Sequence, residues 1–173
     1  MSKLAGLLIM AAVAFAIAGC GGSSKSSTGS TAATAPPAAT TTGSAGSAGG
    51  VKISSATIAR VGPALVNAKG RTLYVFVPDK DKKVTCVATC AAIWPPAFLP
   101  KGQKAVAAAG VKQSLLGSDP DPAGGRVVTY AGWPLYTYVT DTAPGDAAGQ
   151  ALNLNGGLWY VISPTGKLIT KKP

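Results

Sequence analysis

The chain has 173 residues, with 16 Lys and Arg against six acidic residues, no His and a net charge of +10. The lack of His removes Ser-His-Asp and Cys-His nucleophile arrangements and any His-ligated metal. All six acidic residues are Asp in turn-like sequence, and no glycine-rich phosphate loop follows a strand. The expectation is therefore a non-enzymatic protein without cofactor or metal.

Residues 1–19 read as a targeting segment. Lys3 supplies a positive start, the stretch from Leu4 to Ile17 is apolar and uncharged, and Ala18 and Gly19 are small. The run is short for a membrane-spanning helix. Ile17-Ala18-Gly19-Cys20 resembles the lipobox of bacterial lipoproteins. That resemblance implies a diacylglyceryl group on the Cys20 thiol, cleavage just before it, and anchoring on the extracytoplasmic face of the cell membrane.

Residues 20–50 follow, almost entirely Gly, Ser, Thr, Ala and Pro. Such a segment cannot bury enough apolar surface to offset its ordering entropy and is expected to be a disordered tether. A flexible coil of this length spans about 30 Å. The dense Ser and Thr near Pro36 and Pro37 also fit an O-glycosylated stalk, as a secondary reading. The remaining residues, 51–173, suffice for one hydrophobic core.

With Cys20 lipidated, Cys86 and Cys90 form an even pair. Outside the cytoplasm two thiols this close are expected to join in a disulfide. The alternative is an extracytoplasmic redox or stress-related dithiol. Against it, the Cys-x-x-x-Cys spacing is not that of thioredoxin-like sites, and no βαβ pattern surrounds it.

An internal repeat organises the domain. Gly70-Arg71-Thr72-Leu73-Tyr74-Val75-Phe76-Val77-Pro78-Asp79 aligns at an offset of 62 with Gly132-Trp133-Pro134-Leu135-Tyr136-Thr137-Tyr138-Val139-Thr140-Asp141. Each block is β-rich, follows another β-like stretch across a Gly-containing turn, and is followed by a Trp: Trp94 in the first copy, Trp159 in the second. The predicted strands are 58–66, 72–78, 126–130, 134–140, 158–163 and 167–170. A short helix is predicted near Cys86 to Ile93, ended by Pro95, and 103–116 stays ambiguous between its Ala run and Gly110. The fold class is mainly β: one small domain of two hairpin repeats (about 58–100 and 126–163) with approximate internal symmetry.

Tyr74-x-Phe76-x-x-Asp79 and Tyr136-x-Tyr138-x-x-Asp141 resemble the Tyr-x-(Phe/Trp/Tyr)-x-x-Asp motif of the bacterial secreted-repeat lipoproteins. Supporting matches are Cys86-x-x-x-Cys90-Ala91-Ala92-Ile93-Trp94-Pro95-Pro96, Val128-Thr129-Tyr130, Pro144-Gly145-Asp146 and Gly156-Gly157-Leu158-Trp159-Tyr160-Val161. The resemblance covers roughly residues 58–169. It implies an exported, often lipidated protein built from these repeats, and no established activity. Arg126-Val127 departs from a pattern that often has Gln before Val-Thr-Tyr, and no functional meaning attaches to it.

Period two places Tyr74 and Phe76 on one strand face and Leu73, Val75 and Val77 on the other, with the same split between Tyr136, Tyr138 and Leu135, Thr137, Val139. The default for the aromatics is cross-strand core packing. The sharper reading makes Tyr74, Phe76, Tyr136, Tyr138, Trp94 and Trp159 an exposed platform for a sugar ring or other flat ligand. Asp79 and Asp141 read first as turn caps and otherwise as part of that candidate binding surface. Asp79-Lys80-Asp81 resembles the start of a calcium loop, but Lys80, Lys82 and Lys83 oppose a cation and the Gly and Glu of such a loop are missing.

Residues 51–173 hold 14 Lys and Arg against six Asp, a net +8. Near an envelope this charge favours anionic lipid or an acidic cell-wall polymer; a glycan or an envelope protein are further partners. Nucleic acid is disfavoured by compartment and by the lack of a basic recognition helix. The functional expectation is a lipid-anchored interaction module.

Overall fold

The computed structural model describes residues 50–79 and 83–173. In chain order its elements are β1 (Gly50–Ile58), β2 (Gly62–Asn67), β3 (Tyr74–Phe76), α1 (Thr89–Ile93), β4 (Phe98–Leu99), β5 (Lys104–Ala107), β6 (Leu116–Pro120), β7 (Arg126–Tyr130), β8 (Trp133–Pro134), β9 (Asn153–Leu154), β10 (Gly157–Ile162) and β11 (Leu168–Ile169). The fold is mainly β with one short α-helix. The lipidation site Cys20 and the expected targeting segment and tether to residue 49 lie outside the described residues. Gly50, expected in the tether, opens β1.

Three small sheets form, in the orders β2-β1-β5, β11-β10-β3 and β4-β7-β6. The span 58–66, expected as one strand, instead contains a reversal. Residues 59–61 turn the chain, with Arg60 at a φ of 64°, and β2 folds back on β1 with Ala56 opposite Ala64. β5 runs parallel to β1, Gly50 facing Lys104. This resolves the ambiguous 103–116 segment. Pairing with β1 overrides the helical preference of its alanines, and Ala105 is buried while Val106 faces out.

The expected strand 134–140 is only partly regular. Its backbone lies along 93–97, with the N–H groups of Ala97, Thr137 and Val139 donating to Leu135, Pro95 and Ile93 at 2.8, 2.9 and 3.2 Å. Pro95 and Pro96 have no N–H to return, so a continuous ladder cannot form. The two hairpins nevertheless match. The Leu73 N–H donates to Leu65 at 2.9 Å, and its repeat equivalent Leu135 donates to Val128 at 3.0 Å.

β3 is the hinge between two buried clusters. Its alternation sends Tyr74 and Phe76 into an aromatic cluster with Trp94, Tyr136 and Trp159. Leu73 and Val75 join Leu65, Val128, Leu135 and Ile162 in an aliphatic one. The repeats interleave rather than sit side by side: β3 of the first pairs with β10 of the second, Phe76 facing Trp159 and Tyr74 facing Val161.

Candidate functional site

At the centre of the domain the motif tyrosines of the two repeats face each other. Tyr74 N–H donates to Tyr136 O at 2.8 Å, and Tyr136 N–H donates to Tyr74 O at 2.9 Å. Their side chains then reach across. Tyr74 Oη donates to Asp141 Oδ2 at 2.6 Å, and Tyr136 Oη donates to Asp79 Oδ2 at 2.5 Å. Each repeat therefore supplies the phenol for the carboxylate of the other. The spacing Tyr-x-aromatic-x-x-Asp makes this crossing possible, because the strand carries the Tyr inward and the turn after it brings the Asp back.

The second oxygen of each carboxylate takes local donors. Asp79 Oδ1 accepts from Thr85 N–H at 2.9 Å and Thr85 Oγ1 at 2.5 Å, and Asp141 Oδ1 accepts from Ala148 N–H at 2.9 Å. Both Asp residues are buried, at 0% and 3% exposure. The expected cap role is present, but it spans six and seven residues rather than one turn. Burial raises both carboxyl pKa values, and the donors from Thr85 and Tyr136, or Tyr74 and Ala148, hold them partly down. Burial, with the hydrogen-bonded carboxylate next, pushes both tyrosine pKa values far above the ordinary range. The phenols remain protonated donors.

A second crossing is aromatic. Phe76, Trp159, Trp94 and Tyr138 stack in that order, with centroid spacings of 4.3, 3.8 and 4.1 Å and interplanar angles of 19°, 3° and 20°. Successive rings come from alternate repeats. The motif tyrosines meet the stack edge-on, Tyr74 against Trp94 at 5.4 Å and Tyr136 against Trp159 at 5.3 Å. Gly149 is required beside it, since a Cβ there would meet the Trp94 ring at 2.7 Å.

This packing corrects the exposed-platform reading. Tyr74, Tyr136, Trp94 and Trp159 are fully buried, Phe76 is 4% exposed, and both Asp are inside; Tyr138 alone is half-buried. Six aromatic rings supply a core in a chain too short to build one from aliphatics alone. Cys86 and Cys90 form a disulfide within the same cluster. Asp79 has both oxygens occupied by protein donors, and among the described residues no group of three His, Cys, Asp or Glu side chains is placed to hold a metal ion.

Two surface features had no clear sequence signal. Tyr138 reaches a groove of about 280 Å³ flanked by Lys69 and Arg71. Phe98, half exposed, covers Gly125 at φ 85° and walls an apolar hollow of about 260 Å³ beside Lys101 and Arg126. Gly124-Gly125 before a strand was the one available hint, since paired glycines mark a close approach or a turn.

No curated protein and no solved structure matches the chain. A family model described as a secreted repeat of unknown function matches residues 55–98 and 119–163, one stretch for each crossing half of the core. With half of its length covered by two copies of that repeat, the chain belongs to this secreted-repeat family.

Proposed function

We propose that the domain is a non-enzymatic binding module, held at the outer face of the membrane by lipid on Cys20, that engages an anionic polymer of the envelope. One observation carries the reading. Among the described residues every fully exposed charged side chain is Lys or Arg, and the Asp side chains are buried or half-buried. Asp121 and Asp146 are further engaged by the N–H groups of Ala123, Thr142 and Ala143. The outward field is thus positive on all sides, which suits a flexible polyanion better than one compact ligand. The family's description as secreted supports the compartment.

The alternative, thiol exchange through Cys86 and Cys90, is weakened by burial. The pair is 2% and 9% exposed, and exchange needs an attacking thiolate at a sulfur. The test uses the lipidated full-length chain in detergent over beads carrying linear polyphosphate, polygalacturonate or neutral dextran. Retention on both polyanions, lost as salt shortens the screening length, is the expected result. Equal retention on dextran overturns the proposal. In cells, Cys20→Ser is expected to move the protein from the membrane to the soluble fraction.

A further inference from the structure

The stack has two unlike ends. Phe76 closes one, buried, while Tyr138 opens the other into the groove beside Lys69 and Arg71. From Tyr138 the rings continue without a gap through Trp94 and Trp159 to Tyr136, and from Trp94 directly to Tyr74. A half-buried phenol beside two cations, joined by stacked indoles to two phenols hydrogen-bonded to carboxylates, is a path for an electron with a proton acceptor at its inner end.

We propose that this core is a reversible one-electron store, charged at the Tyr138 groove by an anionic one-electron oxidant of the carbonate-radical class. The oxidant takes one electron from Tyr138, which is refilled through Trp94 and Trp159 from Tyr136. As Tyr136 loses the electron its O–H bond breaks, and the proton forms a new O–H bond on Asp79 Oδ2, 2.5 Å away. The balance is Tyr136 phenol plus Asp79 carboxylate plus oxidant, giving neutral Tyr136 phenoxyl radical, Asp79 carboxylic acid and the oxidant reduced by one electron. Tyr74 and Asp141 perform the same step at 2.6 Å. A diffusible one-electron reductant returns the electron, and the proton goes back to the phenol.

The hydrogen bonds decide where the hole rests. An oxidised indole is stabilised by losing its N–H proton to a base. Trp94 Nε1 is buried with no acceptor among the described residues, and Trp159 Nε1 faces only the Leu154 carbonyl at 3.0 Å. Both phenols face carboxylates whose other oxygen is filled by donors alone, so the ionised acceptor is the resting form. Tyr130, also buried, donates to the Pro164 carbonyl at 2.6 Å and has no such base. It is the internal control. The proposal is independent of polymer binding, since the stack lies inside the domain.

The experiment treats the detergent-solubilised full-length protein with hexachloroiridate(IV), an anionic outer-sphere oxidant, and follows its loss of colour and the electron paramagnetic resonance signal. The expected result is a neutral tyrosyl radical, formed more slowly in D₂O. It persists in Tyr130→Phe, diminishes in Tyr74→Phe and in Tyr136→Phe, and is erased by ascorbate with no residue modified. In Tyr138→Phe, which keeps the ring and the stack, the oxidation rate falls by on the order of tenfold, a rise in barrier of about 1.4 kcal/mol. A radical or oxidation product confined to surface aromatics in the wild-type chain overturns the proposal, and needs no variant to fold. So does an unchanged rate in a Tyr138→Phe protein whose near-ultraviolet circular dichroism matches wild type.

Discussion

The first repeat stacks a buried Phe76 on Trp159 and closes its following loop with the Cys86–Cys90 disulfide. The second stacks a half-buried Tyr138 on Trp94, and its corresponding loop, which has no cysteine, is ordered by the Asp146 carboxylate accepting from Thr142 and Ala143 N–H at 2.9 and 2.7 Å. Loop geometry is retained through this change. Ala88 and Ala151, 63 positions apart, both sit at positive φ, 51° and 59°. What the two halves share is the Tyr, the Trp and the Asp that cross the centre. What they exchange lies in the loops. The comparison separates an interior that tolerates only these residue types from a periphery where a covalent link and a carboxylate cap do the same job.

The sharpest way to break that comparison is at the two indoles. Trp94→Ala and Trp159→Ala are each expected to cost about 3–5 kcal/mol in urea unfolding. Trp159→Ala is expected to cost more, because its Nε1 also donates to Leu154 O while Trp94 Nε1 has no partner among the described residues. Since the rings stack at 3.8 Å, the double variant should lose less than the two single losses added. Equal costs with simple additivity would mean that the stack contributes no more than its separate areas.

The disulfide is the next lever and acts on one repeat alone. Replacing Cys86 and Cys90 by Ser is expected to cost about 2 kcal/mol, the loop-closure value for so short a ring. Hydrogen exchange should then rise in the α1 region while the amides of residues 142–152 keep their protection. Equal loosening of both loops would show that the halves are coupled more tightly than their different closures suggest.

The smallest effect is on pH dependence, where the halves should agree. Asp79 and Asp141 have native pKa values raised by burial above the ordinary 3.8. The native state then holds more protons than the unfolded state in the window above 3.8, so ∂ΔG/∂pH is negative there. Their contribution to stability is largest below that value and declines as pH rises through the native pKa. Thermal melts across this window should show the decline, and Asp79→Asn and Asp141→Asn should each flatten part of it. A rise in stability that either Asn variant abolishes would reverse the assigned direction.

The repeat, its aromatic alternation and the Cys86–Cys90 pairing were legible in the chain because they are local: period two, a fixed offset of 62, and two thiols too close to avoid each other in an oxidising space. The secreted-repeat motif was legible for the same reason. The strand limits were not. The turn at Arg60 carries no Gly or Pro at its centre, and the break in 134–140 arises from prolines on the neighbouring segment 93–97 rather than within its own pattern. The parallel partner of β1 lay hidden in an Ala-rich stretch that reads as helix.

By itself the sequence determined which residues face which side of each strand, and that two copies of one unit share a domain. Only the tertiary structure decided that each copy completes the other: Tyr74 with Asp141, Tyr136 with Asp79, and the rings in alternation. The reason is physical. Alternation along a strand is set by backbone geometry within a few residues, whereas the partner of a buried phenol is set by where a chain 57 or 67 residues away returns. Nothing in the identity of a Tyr or an Asp records which copy it will meet.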